Sequence, residues 1–161
     1  MAQAEHDVKI LNSLIETTID SVDGYEKAAK ESRNPEFQRI FEERAFERRR
    51  VCDELRTEVA RMGGEVEDDG SILAKAHRTF LKVRDAVAGG DDKQVVDEVE
   101  RGEDFIKAKF ETALEDSAVS ATTRETIRRA YTTVKDGHDQ MRDLKHSLEG
   151  QKDADNRLYP N

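Results

Sequence analysis

Residues 8–29 read VKILNSLIETTIDSVDGYEKAA and carry an apolar or small residue every three or four positions. This spacing keeps one side of an α-helix apolar along its whole length, because 3.6 residues make one turn. The stretch therefore predicts a long amphipathic helix, from about Glu5 to Glu31, that packs against other helices. Its stripe consists of Val8, Leu11, Ile15, Thr18, Val22, Tyr25 and Ala29.

The same periodicity recurs in four later segments, each bounded by residues that start or stop helices. Asn34-Pro35 is typical of an N-cap followed by the first helical residue. The glycine pairs Gly63-Gly64 and Gly89-Gly90 indicate helix ends, and Thr122 with Glu125 is typical of a capping box. The four further predicted helices span about residues 35–62, 71–88, 92–115 and 122–148.

The lengths of the connections predict the topology. Short links join the first two helices and the last two, so each pair is expected to form an antiparallel hairpin. The crossover between the pairs, Gly63 to Gly90, contains the short helix and is long enough to return the chain to the starting end. We therefore expect an all-α, ferritin-like four-helix bundle in one domain over residues 1–150. Residues 151–161 are polar and are expected to form a disordered tail.

Composition excludes several classes of protein. The 161 residues include 27 Lys and Arg against 36 Asp and Glu, a net charge of −9, which argues against nucleic-acid binding. Apolar runs are far shorter than the roughly 20 residues that a membrane span needs. The first residues do not resemble a signal peptide, so a cytoplasmic location is expected. The single cysteine, Cys52, excludes an internal disulfide.

Two polar residues interrupt the apolar stripes of the last two long helices. Glu103 lies between Val99 and Ile106, where a carboxylate must be paired, protonated or bound to a metal. His138 lies between Val134 and Met141 on the last helix. It can be a structural histidine bonded to a carboxylate or a metal ligand.

Arginines on the second helix offer a partner for Glu103. Arg44 and Arg48 share the apolar face of that helix and fall at about the depth of Glu103, while Glu26 is placed beside the stripe of the first helix. We therefore predict a polar network in the core, although the arginines could instead extend their charged ends to solvent. The predicted members are Glu26, Arg44, Arg48, Glu103 and His138. Gly137, inside the last helix, indicates either close helix packing or room for a bound group.

Several separated blocks resemble a bacterial family of domains of unknown function within the ferritin-like superfamily. The resemblance extends over about residues 6–148 and implies a ferritin-like bundle with no established activity. The blocks are LNSLIETTID at 11–20 with Gly24-Tyr25, Glu43-Arg44-Ala45 with Glu47-Arg48, Gly70-Ser71 with His77-Arg78, residues 100–104, and His138-Asp139.

Many ferritin-like bundles hold two metals on Glu and Glu-x-x-His motifs from four helices. Here the corresponding triplets are Glu47-x-x-Arg50 and Lys135-x-x-His138, each with a cation in place of a ligand. We therefore expect no cofactor and a non-catalytic structural, interaction or stress-associated protein, which could form a homodimer through exposed Phe46. The alternative is an iron or manganese oxidoreductase or iron-handling protein. Its candidate ligands are Glu47, Glu100, Glu103 and His138.

Overall fold

The computed structural model describes residues 2–66 and 92–158. Within these ranges all regular structure is helical: α1 Ala2–Glu31, α2 Pro35–Arg61, α3 Asp92–Glu115 and α4 Ala121–Leu158. The four long helices expected from the periodicity are therefore present. The short helix predicted at 71–88 lies outside the described residues.

The ends of α2 follow the predicted local chemistry. The side chain of Asn34 accepts a hydrogen bond from the backbone N–H of Glu36 at 2.9 Å, and Pro35 follows as the first helical residue. At the other end, Gly63 adopts φ +73°, a left-handed conformation that favours glycine. The N–H of Gly64 then donates to the carbonyl of Val59 at 3.0 Å. These bonds satisfy backbone groups that a helix end leaves unpaired.

The start of α4 differs from the predicted capping box at Thr122. Ser120 is the cap, because its Oγ accepts from the N–H of Thr123 and its carbonyl accepts from the N–H of Arg124. The buried carboxylate of Asp7 on α1 accepts from the N–H of Ser120 at 3.1 Å and from the hydroxyl of Thr123 at 3.0 Å. A contact distant in sequence therefore decides where α4 begins.

Contacts between the helices establish their directions. The start of α1 meets the end of α3 through His6 and Asp116, and the turn after α1 meets the first residue of α3 through Asp92. α1 and α3 are therefore antiparallel. Because α1–α2 and α3–α4 are antiparallel hairpins, α2 and α3 run in the same direction, as the long crossover predicts. Neighbours around the bundle follow the order α1, α2, α4, α3.

Within the described residues, the core consists of two apolar clusters, one toward each end of the bundle. One contains Leu11, Ile15, Leu55, Phe110 and Ile127. The other contains Tyr25, Phe41, Val96, Val99 and Met141. Every helix contributes to both clusters, so a polar residue between them lies at the middle of the bundle.

The last helix, α4, extends beyond its predicted end. α4 continues through Gly150 to Leu158, so residues 151–158, expected to be a disordered tail, are helical. No proline or glycine pair interrupts the chain in this segment, and a single glycine in a helix costs only about 1 kcal/mol.

Over the two described ranges, no helix is long and apolar enough to cross a membrane.

Candidate functional site

A buried arginine connects all four helices at the middle of the bundle. Arg48 of α2 is 0% exposed, and its Nη2 donates to Oε2 of Glu103 on α3 at 2.7 Å. The same guanidinium donates to Oγ of Ser21 on α1 at 3.0 Å and to the carbonyl of Val134 on α4 at 3.3 Å. A buried charge needs a counter-charge and hydrogen bonds, and each of the other three helices contributes one partner.

Tyr25 completes the coordination of the Glu103 carboxylate. Its hydroxyl donates to Oε1 at 2.6 Å, so both carboxylate oxygens accept a hydrogen bond. The guanidinium carbon of Arg48 lies 5.6 Å from the centre of the tyrosine ring, within the range of a cation–π contact. We call Ser21, Tyr25, Arg48 and Glu103 the charged layer.

The surroundings determine the ionisation of this layer. Burial and the adjacent negative charge of Glu103 raise the pKa of Tyr25 well above its usual 10.0. Burial acts to lower the pKa of Arg48, but the carboxylate of Glu103 raises it, and the net change is upward. The layer is therefore an arginine cation and a carboxylate anion bonded to a neutral tyrosine.

Gly137 makes room for the guanidinium. A Cβ atom at this position would lie 2.6 Å from Nη2 of Arg48, closer than non-bonded atoms approach. The guanidinium of Arg48 therefore occupies the space that a side chain at position 137 would fill. Gly137 thus makes room for the guanidinium and not for a bound group.

Three of the five residues predicted for the core network lie outside it. Glu26 is about half exposed and pairs with Arg49 on the surface. Arg44 pairs with Glu47 on its own helix at 2.8 Å. His138 faces Asp104 of α3 at 2.6 Å. The helical periodicity predicts on which face of the helix a residue lies. At either edge of that face, a long side chain can turn toward a nearby opposite charge instead of toward the core.

Two members of the charged layer were not predicted. Tyr25 belongs to the apolar stripe of α1, and the periodicity of that stripe indicates no role for Ser21. A tyrosine inside an apolar stripe is itself a signal, since a buried hydroxyl needs a hydrogen-bond partner. The spacing of Ser21 and Tyr25, one helical turn, places both beside the same partner on a facing helix.

A second polar cluster lies at the contact of α3 and α4. Ligand atoms of Glu100, Asp104 and His138 all lie within 4.8 Å of one another. Nδ1 of His138 lies 3.2 Å from Oδ1 of Asp139. A hydrogen bond from Lys135, followed by that from His138, lowers the pKa of Asp139 to about 2. We call Glu100, Asp104 and His138 the histidine cluster.

The candidate metal ligands from the sequence are divided between separate places. Glu100 and His138 belong to the histidine cluster, whereas Glu103 belongs to the charged layer and Glu47 pairs with Arg44. A di-metal centre in the core does not fit these residues. A guanidinium bonded to Glu103 at the middle of the bundle would repel a dication, and the carboxylate has both oxygens engaged.

Comparison with known families identifies the chain. Residues 7–116 match a domain of unknown function, DUF2383, over more than half of the sequence. The chain belongs to this family. The DUF2383 match covers nearly all of α1, the whole of α2 and α3, and all four residues of the charged layer, but it ends before α4. His138 and Gly137 therefore lie beyond the matched residues. No curated protein matches the chain.

The ion pair of the charged layer leads to a prediction about stability. Replacing Arg48 by Met or Glu103 by Leu is expected to lower the free energy of unfolding by about 3–5 kcal/mol, because each leaves a buried charge unpaired. The double variant is expected to lose much less than the two single losses added together, since no charge then remains. Urea denaturation of the four proteins gives the coupling energy.

A surface pair provides the control for this cycle. Arg49 of α2 and Glu26 of α1 also join two helices, but their side chains are about half exposed. Their coupling energy is expected to be at most about 1 kcal/mol. Equal coupling in the two cycles would contradict a special role for the buried pair.

The raised pKa of Tyr25 leads to a prediction about alkaline stability. The folded protein retains the phenolic proton above pH 10, whereas the unfolded chain releases it, so the native state binds more protons and its stability falls as pH rises. The contribution is complete below pH 10 and decreases by up to about 1.4 kcal/mol per pH unit above it. The Tyr25→Phe variant should show a correspondingly weaker dependence in urea denaturation.

Tyr131 serves as the comparison within the same chain. Burial, with a hydrogen bond to Glu111, raises the pKa of Tyr131 to about 12. Tyr131 is present both in the wild type and in Tyr25→Phe. Near-ultraviolet absorbance of tyrosinate gives the number of tyrosines that ionise as the helices are lost at high pH. This number should be one lower in Tyr25→Phe than in the wild type. Identical titration and denaturation curves for the two proteins would refute the assignment.

Proposed function

We propose that this chain is a non-catalytic, ferritin-like bundle of the cytoplasm that acts as an interaction protein. The observation that carries this proposal is the position of Arg48. Its guanidinium occupies the middle of the core, is bonded to all three other helices, and takes the carboxylate that a metal would need. The polar residues of the core therefore stabilise the bundle and fix the register of its helices.

The alternative, an iron or manganese oxidoreductase, makes the opposite prediction about Glu103. As a core metal ligand, Glu103 would be required for metal binding. As the partner of Arg48, it is required only for stability. Untagged protein from cells grown with added iron and manganese is expected to have the same metal content as its Glu103→Gln variant by elemental mass spectrometry.

Exposed Glu115 on the same helix supplies the matched control, since Glu115→Gln removes one carboxylate far from the core. Neither protein is expected to turn over oxygen or peroxide. Near-stoichiometric iron or manganese that Glu103→Gln loses and Glu115→Gln keeps, together with peroxide turnover, would replace the proposal by the oxidoreductase. Metal bound at the surface is distinguishable, because it would persist in Glu103→Gln.

The surface of α2 supports a homodimer as the interaction. Phe46 is 61% exposed, and six exposed charged residues of α2 fall within about 60° of it around the helix: Arg39, Glu42, Glu43, Arg49, Arg50 and Asp53. In an antiparallel pairing of two α2 helices at Phe46, residues equally far before and after it come opposite each other. The opposed pairs are Arg39 with Asp53, Glu42 with Arg50 and Glu43 with Arg49, of which Arg49 also contacts Glu26 of its own chain.

Each of these pairs joins opposite charges, and a two-fold axis makes each pair twice. A self-complementary patch is what a symmetric dimer requires. Exposed ion pairs contribute only about 0.2–1 kcal/mol each and are screened by salt. We therefore expect a weak, salt-sensitive dimer held by the two Phe46 rings and a surrounding set of ion pairs.

Charge reversal tests this arrangement. Arg50→Glu places like charges opposite each other at Glu42 and should weaken dimerisation in sedimentation velocity at low salt. Glu42→Arg should have the same effect. The double variant Glu42→Arg with Arg50→Glu should restore the dimer, because the opposed charges are exchanged. A chain that stays monomeric at every concentration, or a double variant weaker than either single one, would refute this interface.

A further inference from the structure

The histidine cluster brings one imidazole and two carboxylates together on neighbouring helices. Glu100 and Asp104 are one turn apart on α3, and His138 faces them from α4 with Nε2 2.6 Å from Oδ1 of Asp104. All three ligand atoms lie within 4.8 Å of one another, and no other such group occurs in residues 2–66 or 92–158. One nitrogen and two oxygens are ligands that Zn²⁺ and related ions accept.

The imidazole is held in the orientation of a metal ligand. Its Nδ1 lies against the carboxylate of Asp139, which is itself held by Lys135 at 2.9 Å. A carboxylate on one ring nitrogen orients the other toward a metal, and this arrangement is usual behind histidine ligands. Nε2 therefore points toward Asp104, on the side where Glu100 also lies.

One side of the histidine cluster is open to solvent. The side chain of Asp104 is 60% exposed, whereas that of His138 is only 10% exposed. Three protein ligands with an open position leave room for water as the fourth ligand. An ion at about 2.0–2.2 Å from each ligand requires the Asp104–His138 contact to widen, and Asp104 can move because it lies at the surface.

The nearest competing charge is a flexible lysine. Nζ of Lys145 lies 3.5 Å from Oε2 of Glu100, and its side chain is about one third exposed. A lysine in this position can turn into solvent when a dication binds. The arrangement differs from that of the charged layer, where the cation is fully buried and bonded to three helices.

From these contacts we propose that Glu100, Asp104 and His138 form a surface site for one divalent transition-metal ion of the Zn²⁺ type. The site is separate from the core: Glu103, on the same helix, turns inward to Arg48, while Glu100 and Asp104 face α4. This proposal goes beyond the interaction function, because metal binding here needs neither Glu103 nor the α2 surface. Each proposal can therefore fail without the other.

Isothermal titration of metal-free protein with zinc chloride tests the site. The wild-type chain is expected to bind one Zn²⁺ per chain. His138→Gln and Asp104→Asn should each weaken binding by more than tenfold, and Asp139→Asn, which removes only the orienting carboxylate, by about 10–100-fold. Because Asp104 is exposed, its variant keeps the fold even where a change at buried His138 disturbs it, and circular dichroism monitors both.

The chain contains a matched control. His6 contacts Asp116 through Nε2 at 2.8 Å, a similar imidazole–carboxylate pair that belongs to no three-ligand group among the residues that the structure describes. His6→Gln is expected to leave Zn²⁺ binding unchanged. A wild-type chain that binds no Zn²⁺, a folded Asp104→Asn variant that binds as tightly as wild type, or equal losses in His6→Gln and His138→Gln would overturn the proposal.

Discussion

The ion pair between Arg48 and Glu103 is the constraint on which the rest of the bundle depends. Two charges removed from water are stable only if they are paired and hydrogen-bonded, because the interior offers little solvation. Here the matching requires a hydroxyl from α1, a carbonyl from α4 and a second hydroxyl from Tyr25. Sliding any helix by one turn would separate these groups, whereas apolar side chains alone would tolerate such a shift more easily. The pair thus selects one alignment of the helices.

The same pair separates the chemistry of the interior from that of the surface. The core is divided into two apolar clusters with the charged layer between them, and within that layer Nε of Arg48 has no hydrogen-bond partner among the described residues. The histidine cluster lies at the contact of α3 and α4, where Asp104 reaches solvent. The DUF2383 match includes the whole charged layer, but of the histidine cluster it includes only Glu100 and Asp104.

Much of the fold could be predicted from the sequence, because it depends on local signals. Three- and four-residue spacing predicted the four long helices, and Asn34-Pro35 and Gly63-Gly64 predicted both ends of α2. The start of α4 was misplaced because Asp7, more than a hundred residues earlier, stabilises Ser120 as the cap. The apolar stripe predicted the burial of Glu103 and its proximity to Arg48. It could not predict the directions of Glu26, Arg44 and His138, since each sits on a flank where a nearby opposite charge competes with the core.

Gly137 restricts the order in which substitutions at positions 48 and 137 can occur. The space beside Nη2 of Arg48 is too small for a methyl group, so position 137 accepts a larger residue only after position 48 has become shorter. The reverse order is open, because a shorter residue at position 48 creates a void that glycine tolerates and a later side chain can fill. In descendants of this chain, loss of the arginine should therefore precede loss of the glycine, and an intact arginine preserves a helix-weakening residue on the neighbouring helix α4.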